Sequence, residues 1–541
     1  MYKRGMILFA ALAGMFVILM GRIAILPYLD DSRAVSAAQL QQSKKLIIGE
    51  KRGVIYDREL QPITFRDREY RAVVMPAQCE NVGEHIGLLA TESALTVAEL
   101  QQKFASKSPF VVTTRRKLER CDCIRSFEVE SDNAAYRLLH HVVGDLDSKG
   151  EVGKSGLLLG FDEFLKERDG EVYAEVPVNA MQQQLTGLLP SFEERNYYQK
   201  NGLSLTVDAE IQKIAETAAD SIERGAIVVS DVHTGELIAL VSRPDYDGTK
   251  IADYLESEDA ELLNRCYQSY NIGSVWKLMV LASYLEDEGE LPEFTTYCPG
   301  YVDVGGQRFA CHKETGHGTV DCKTAVEQSC NVYFINLMLS EMKLERVIDL
   351  AARFGVGEGW YLAPGNAAQA GRLPTNYKRP TLALIANTAI GQGDVMMTPV
   401  DVAYFIGAIA NEGFACEPSL IRGEVREGEV IPFTSDRSKK KLLSKKTCEL
   451  LCELMISTVE NGTGKSARPE TGGAGGKTAS AETGMREDGE QVVHGWFAGF
   501  YPAEQPQYAI VVLVENGRSG SQSAAPVFRQ IADGIAGLTN G

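Results

Sequence analysis

Apolar and polar positions change rhythm several times along the chain. Lys3 and Arg4 precede a nearly unbroken apolar run from Met6 to Met20, which resumes after Arg22 and ends at Leu26. At ~1.5 Å per residue such a run is just long enough to cross ~30 Å of hydrocarbon, so it predicts a single transmembrane helix over residues 1–28. Arg22 sits near one end, where its stem can snorkel to the interface. The basic pair predicts a short cytoplasmic tip with the bulk of the chain outside, that is, a single-pass protein of the cell membrane. The competing reading is a cleaved signal peptide, with Val35-Ser36-Ala37 as the processing site. The length of the run and the intervening Asp30, Asp31 and Arg33 weigh against it.

Residues 29 to about 60 read as a polar stalk entering a first domain. Strand-like runs such as Tyr70 to Met75 and Phe110 to Thr114 alternate there with charged, helical stretches. Around Asn201 the texture changes. Gly202 to Val207 alternates polar and apolar, and Asp208 opens an amphipathic helix through Ile211, Ile214 and Ala218. Ala226 to Ser230 and Leu237 to Val241 read as strands joined by a turn at His233-Thr234-Gly235. Trp496 to Tyr501 and Tyr508 to Val514 are strand-like again, and Ala525 to Leu538 is a closing helix. Strands at both ends around a helical centre predict an α+β plan, an antiparallel sheet packed against helices. The predicted domains are residues 29–200 and 201–541. No internal repeat is visible.

Composition narrows the class. The chain has 541 residues, 44% hydrophobic and 24% charged, which is globular and long enough for a large core. A net charge of −18 argues against a nucleic-acid partner, which demands a basic face. Eleven cysteines leave at least one thiol unpaired. Cys298 and Cys311 flank a turn-rich stretch and are a candidate disulfide. With His312 and His317 they also mimic a zinc set, but the spacing is poor, and no metal is expected. Cys121 and Cys123 are too close to form an ordinary disulfide.

The chemistry concentrates in three short segments. Gly273-Ser274-Val275-Trp276-Lys277 opens a helical stretch, Val275 to Glu286. Ser274 then sits at a helix N-terminus, where the dipole favours developing negative charge, and Lys277 lies one turn on along the same face. A lysine acts as a base only if its pKa falls, through burial or neighbouring positive charge. The other two segments are Ser329-Cys330-Asn331 and, after a glycine run, Lys477-Thr478-Ala479-Ser480. Ser438 to Lys441 repeats the Ser-x-x-Lys spacing inside a basic run that reads as a solvated face. Ser269-Tyr270-Asn271, Lys323-Thr324 and Lys446-Thr447 are likewise out of order or lack the glycine-rich approach. Cys330 reads as inward-facing filler. His494, Trp276 and Trp496 are cleft-wall or packing residues.

The order and spacing of the three segments resemble the penicillin-binding protein and serine β-lactamase superfamily. Arg52-Gly53-Val54-Ile55-Tyr56-Asp57-Arg58, Ser155-Gly156-Leu157 with Phe161-Asp162, and Gly391-Gln392-Gly393 with Thr398-Pro399 are similar to strings of the class B penicillin-binding proteins. Leu158 stands where glutamate is usual, and no glycosyltransferase-like segment precedes. The resemblance implies a penicillin-binding transpeptidase fold on an N-terminal pedestal or dimerisation domain. It implies a D,D-transpeptidase that cross-links peptidoglycan stem peptides through a serine acyl-enzyme and is acylated by β-lactams, with no cofactor. Ser274 becomes the nucleophile, Lys277 its base and Ser329 a proton relay. Asn331 holds a substrate amide and helps fix Lys277. Lys477 and Thr478, with Ser480, orient the terminal carboxylate, and the backbone amides of Ser274 and Ser480 form the oxyanion hole. Ala479 replaces the family's glycine, and its methyl group is expected to crowd the site. Implied partners are a polytopic glycan polymerase and other division, elongation or sporulation proteins. A β-lactam-hydrolysing or sensing protein and a catalytically weak scaffold remain as alternatives.

Overall fold

The computed structural model describes residues 2–25, 43–132, 137–185, 187–433, 439–487 and 490–539. The Val35-Ser36-Ala37 site, residues 29–42 of the stalk and Ser438 lie outside these. The first element is a helix, Tyr2–Ile25. Among the described residues no helix is long and apolar enough to cross a membrane. This corrects the expectation of a single-pass anchor and the localisation drawn from it. The uncharged run between Arg4 and Arg22 rises only roughly 26 Å at 1.5 Å per residue, short of about 30 Å of hydrocarbon.

The chain forms two compact units, each discontinuous in sequence. The first comprises Met1–Lys51, Arg68–Ser131 and Gly170–Tyr198. In it, strand Asp67–Val74 lies between Phe110–Thr114 and Ile124–Ser131, and Ser43–Lys51 pairs antiparallel with Gly170–Pro177. Helices Val82–Glu92 and Val97–Ala105 cover a core built on Ala72, Val74, Leu89, Leu100 and Phe104. Thr96 and Glu99 close a capping box on the second helix. A disulfide joins Cys79 to Cys123. Cys298 and Cys311, the pair suggested by the sequence, are both free thiols.

The second unit comprises Arg52–Asp67, Asp132–Asp169 and Gln199–Gly541. Its centre is a five-stranded, wholly antiparallel sheet. We label its strands β1 (Gly225–Asp231), β2 (Leu237–Arg243), β3 (Gly475–Glu487), β4 (Glu490–Tyr501) and β5 (Tyr508–Val514). Their spatial order is β2-β1-β5-β4-β3. The apolar run of β5 follows from burial on both faces. Ala509, Val511 and Leu513 face one core, while Ile510, Val512 and Val514 face the other. Against the second face lie α1 (Ala209–Ala218), N-capped by the Asp208 carboxylate, and the closing helix Ala525–Thr539. Against the first lie α2 (Lys277–Glu288), α3 (Asn331–Ser340), α4 (Pro399–Ala410) and α5 (Lys445–Asn461). This is the α+β plan expected from the sequence.

The Arg52–Arg58 string ties elements of this unit together. Arg52 donates to the Asp162 carboxylate at 2.7 Å. Asp57 accepts from the backbone of Glu59, Gln61 and Ala209, which fixes the start of α1.

Candidate functional site

The Ser274 turn is held by crossing glycines. Gly273 has φ +56, a conformation that L side chains rarely adopt, and its N–H donates to the Gly391 carbonyl at 3.1 Å. A side chain on Gly391 would overlap the Gly273 carbonyl and Trp276, so the two backbones meet only as glycines. Ser274 itself lies in a 3-10 turn, Gly273–Trp276, that runs directly into α2 at Lys277. The sequence expected an α-helix from Val275. Val275 and Trp276 are buried and anchor the turn, whereas Ser274 is half-buried.

Lys277 follows one turn later and is 1% exposed. Its ammonium donates to the Asn331 side-chain carbonyl at 2.7 Å, the Ser329 backbone carbonyl at 2.8 Å and the Ser329 hydroxyl at 3.4 Å. Burial lowers its pKa to about 8, with the nearby Cys311 and Cys330 thiols opposing that shift. Ser329 has φ +53, unusual for a residue with a side chain. That conformation turns its carbonyl and hydroxyl towards one amine. Asn331 starts α3, and its amide also donates to the Ala310 carbonyl at 3.0 Å.

β3 runs beside this turn. Lys477 is fully buried, and its ammonium donates to the Thr478 carbonyl at 3.0 Å. Burial first, and then the Lys277 charge, push its pKa well below the usual lysine range. The Thr478 hydroxyl lies 2.7 Å from the Thr463 hydroxyl. Thr463, on the turn after α5, had carried no signal in the sequence. Ser480 is exposed, and its hydroxyl accepts from the Gly520 N–H at 3.4 Å. Ala479 is 3% exposed, and a β-carbon placed on Gly273 would lie 3.4 Å from its methyl group. The methyl group packs against the backbone of the Ser274 turn and does not project into open space. Trp276 and Trp496 are both buried, and Trp496 donates to the Asn271 carbonyl at 3.0 Å. His494 is buried against Tyr270.

A second group of side chains adjoins the Ser329–Asn331 turn. Cys298, Cys311, His317 and Cys330 bring one ligand atom each within 4.8 Å of one another. His317 Nδ1 lies 3.6 Å from both the Cys298 and the Cys311 sulfurs. The Cys330 thiol stabilises a thiolate at Cys311 and is itself pushed up in turn. Three thiols and one imidazole are the donor set of a tetrahedral zinc ion, whose bonds to sulfur are about 2.3 Å. Fit is good in chemistry and reach, and His317 Nε2 is a buried nitrogen without a partner. The sequence reading had His312 in this set and treated Cys330 as filler. His312 instead packs ring against ring on His317. The signal available was the cysteine inside Ser-x-Asn, spaced after Cys298, Cys311 and His317.

Comparison with known proteins bears on the whole arrangement. Residues 225–533 match the family model described as the penicillin binding protein transpeptidase domain. The stage V sporulation protein D of Bacillus subtilis is 27% identical, over 98% of this chain and 85% of its own length. The peptidoglycan D,D-transpeptidase MrdA of Acinetobacter baumannii is 28% identical, over 88% and 80%. Among solved structures, the penicillin-binding protein PBP2 of Helicobacter pylori superposes with a TM-score of 0.66 at 23% identity, covering 92% of this chain and 99% of that one. A chain of a peptidoglycan synthase complex reaches 0.69 at 22% identity, covering 98% of each. At these identities the two structures speak to fold.

Proposed function

From the premise that the chain belongs to the penicillin-binding protein transpeptidase family and is a serine-type D,D-transpeptidase acting on peptidoglycan, we propose that Ser274 is its nucleophile and Lys277 its base. In this reading the Ser274 hydroxyl attacks the carbonyl of the penultimate D-Ala of a stem peptide. The neutral Lys277 amine takes its proton. Ser329, in contact with that amine, passes a proton to the departing D-Ala nitrogen. An amine from a second strand then attacks the ester, and the same groups run in reverse.

Thr478, buried with its hydroxyl against Thr463, and the exposed Ser480, two residues on along β3, receive the terminal carboxylate. The backbone N–H groups of Ser274 and Ser480 face the developing oxyanion, an interaction that is typically worth several kcal/mol. The buried Lys477 acts on this site through its field, since its ammonium is sealed from solvent. Cys298, Cys311, His317 and Cys330 would hold a zinc ion whose chemistry there is structural, fixing Cys330 and so the residues on either side of it.

The observation that carries the reading is the convergence of Ser329 and Asn331 on the buried Lys277 amine, whose pKa is lowered to about 8. Intact mass after incubation with a penicillin tests it. One adduct is expected on the native chain and none on Ser274→Ala; equal labelling of both would sink the assignment. Slow loss of the adduct separates a transpeptidase from a β-lactam-hydrolysing protein. Failure of Ser274→Ala to support wall cross-linking separates it from a scaffold.

Its partners in this reading are proteins of the peptidoglycan-building machinery, including a polytopic glycan polymerase. Support comes from relatives: PBP2 of H. pylori is solved in complex with MreC, and a similar chain is part of a peptidoglycan synthase complex.

A further inference from the structure

The first unit holds a cysteine group that the transpeptidase reaction does not use. The Cys79–Cys123 disulfide, with Cα atoms 5.0 Å apart, ties the end of the turn Pro76–Gln78 to the start of strand Ile124–Ser131. Two residues before Cys123 lies a third cysteine. The Cys121 sulfur is 3.9 Å from the Cys123 sulfur, close to van der Waals contact. Both cysteines are held by the backbone. The Cys121 N–H donates to the Ile124 carbonyl at 3.2 Å, and the Cys123 carbonyl accepts from the Met75 N–H at 2.8 Å.

Two further features suit this group to thiol chemistry. Cys121 is half-exposed, so solvent can take its proton. Its loop is rich in basic residues, Arg115, Arg116, Lys117 and Arg120 against Glu119 and Asp122. Beside the disulfide stands His85, from helix Val82–Glu92. One of its ring nitrogens lies within 4.8 Å of both disulfide sulfurs, and its buried Nδ1 has no hydrogen-bond partner.

We propose that Cys121, Cys123, Cys79 and His85 form a thiol–disulfide exchange centre. The Cys121 thiol gives its proton to solvent, and the thiolate attacks the Cys123 sulfur. A Cys121–Cys123 bond forms as the Cys79–Cys123 bond breaks; spanning one intervening residue, it closes a tight Cys-x-Cys ring and is not an ordinary disulfide. The electron pair leaves with Cys79, whose thiolate accepts a hydrogen bond from the neutral His85 ring N–H and is then protonated by solvent. One disulfide and one thiol are present before and after, so no oxidant or reductant is consumed. The outcome is mechanical. A cross-link between residues 44 apart in sequence is exchanged for one between near neighbours, and the segment at Pro76–Gln78 is released from the strand.

Native alkylation of the full chain tests this. The protein is purified without reductant, held in mildly alkaline buffer, blocked with N-ethylmaleimide and digested with trypsin. Cleavage after Arg120 and Arg125 yields a five-residue peptide holding both Cys121 and Cys123, so its internal disulfide has a distinct mass. The expected result is alkylated Cys79 together with that oxidised peptide, in a fraction that grows to a plateau. In Cys121→Ser, a near-isosteric change, Cys79 stays paired and unlabelled. In His85→Gln the plateau is unchanged but is reached more slowly, which a merely structural histidine would not produce. Labelling of Cys121 alone, with Cys79 fully paired at all times, overturns the proposal, as does equal labelling of Cys79 in Cys121→Ser.

Discussion

The pH dependence of acylation is the sharpest consequence of burying Lys277. An exposed lysine with a pKa of 10.5 would be almost wholly protonated at neutral pH and useless as a base. Burial brings this one to about 8. Roughly a tenth of it is then neutral near pH 7 and roughly nine tenths near pH 9. If the neutral amine takes the Ser274 proton, the second-order rate of acylation by a penicillin climbs about tenfold across that interval and then levels. The shift corresponds to about 3 kcal/mol favouring the neutral form in the folded chain.

The same shift has a stability counterpart whose sign is fixed by linkage. The folded pKa of Lys277 lies below its unfolded value, so the unfolded chain holds the extra proton between about 8 and 10.5. Stability therefore rises with pH across that window, and the contribution is lost as pH falls back through about 8. Quenching of a fluorescent penicillin, followed by rapid mixing from mildly acidic to strongly alkaline buffer, measures the first effect. Lys277→Arg, which cannot lose its proton, should fall by about 10²–10⁴ in rate. A flat profile, or one that declines above neutrality, would refute Lys277 as the base.

Three other outcomes follow from the geometry. Gly273→Ala should destabilise the chain by about 1–3 kcal/mol in urea unfolding and slow acylation, because φ +56 is strained for alanine and the new methyl group would lie 3.1 Å from that of Ala481. Burial raises Asp401 to about 6 although it accepts from Trp360 and Thr398, so the folded chain holds its proton between 3.8 and about 6. Stability from this group falls as pH rises through that window, and Asp401→Asn should remove a slope of about 2–3 kcal/mol between unfolding at mildly acidic and at neutral pH. Elemental analysis of protein prepared without chelator should find about one zinc per chain; EDTA should lower its unfolding temperature, and Cys330→Ser should lower its zinc content. Absence of bound zinc together with an unchanged unfolding temperature would remove the metal from the account.

What the sequence revealed depended on whether a residue's neighbours were local. Tyr508–Val514 declares itself a strand because seven successive apolar side chains need two buried faces, and both exist. Ser274 and Lys277 are legible because one helical turn joins them. Lys277 and Asn331 are 54 positions apart, and order among motifs brought them together only through resemblance. Ala479 is a related case. Alternation along β3 puts its methyl group on one face with Lys477, and only the fold shows that the Gly273 backbone lies beside that methyl group. Cys330 was passed over because its partners at 298, 311 and 317 lie on separate strands and turns. The N-terminal run shows the opposite failure, in which composition promised a span that the charged positions of the helix cut short.

Ser329, Cys330 and Asn331 make the strongest argument that this centre is rigid. An extended or helical backbone at Ser329 would point its carbonyl and hydroxyl in different directions. With φ +53, both reach the Lys277 ammonium, and the Asn331 side chain, two residues on, completes the set. Cys330, between them, is then turned to the other side, against Cys311. The three residues thus hold the Lys277 amine on one side and meet the thiol cluster on the other. Substitution separates the roles. Ser329→Ala keeps the backbone carbonyl bond and should leave the upward pH profile in place while slowing leaving-group departure. Asn331→Ala removes the 2.7 Å partner of Lys277 and should disturb the profile itself. If Ser329→Ala displaces the apparent pKa as far as Asn331→Ala does, the hydroxyl helps hold the base and its role as a separate proton relay fails.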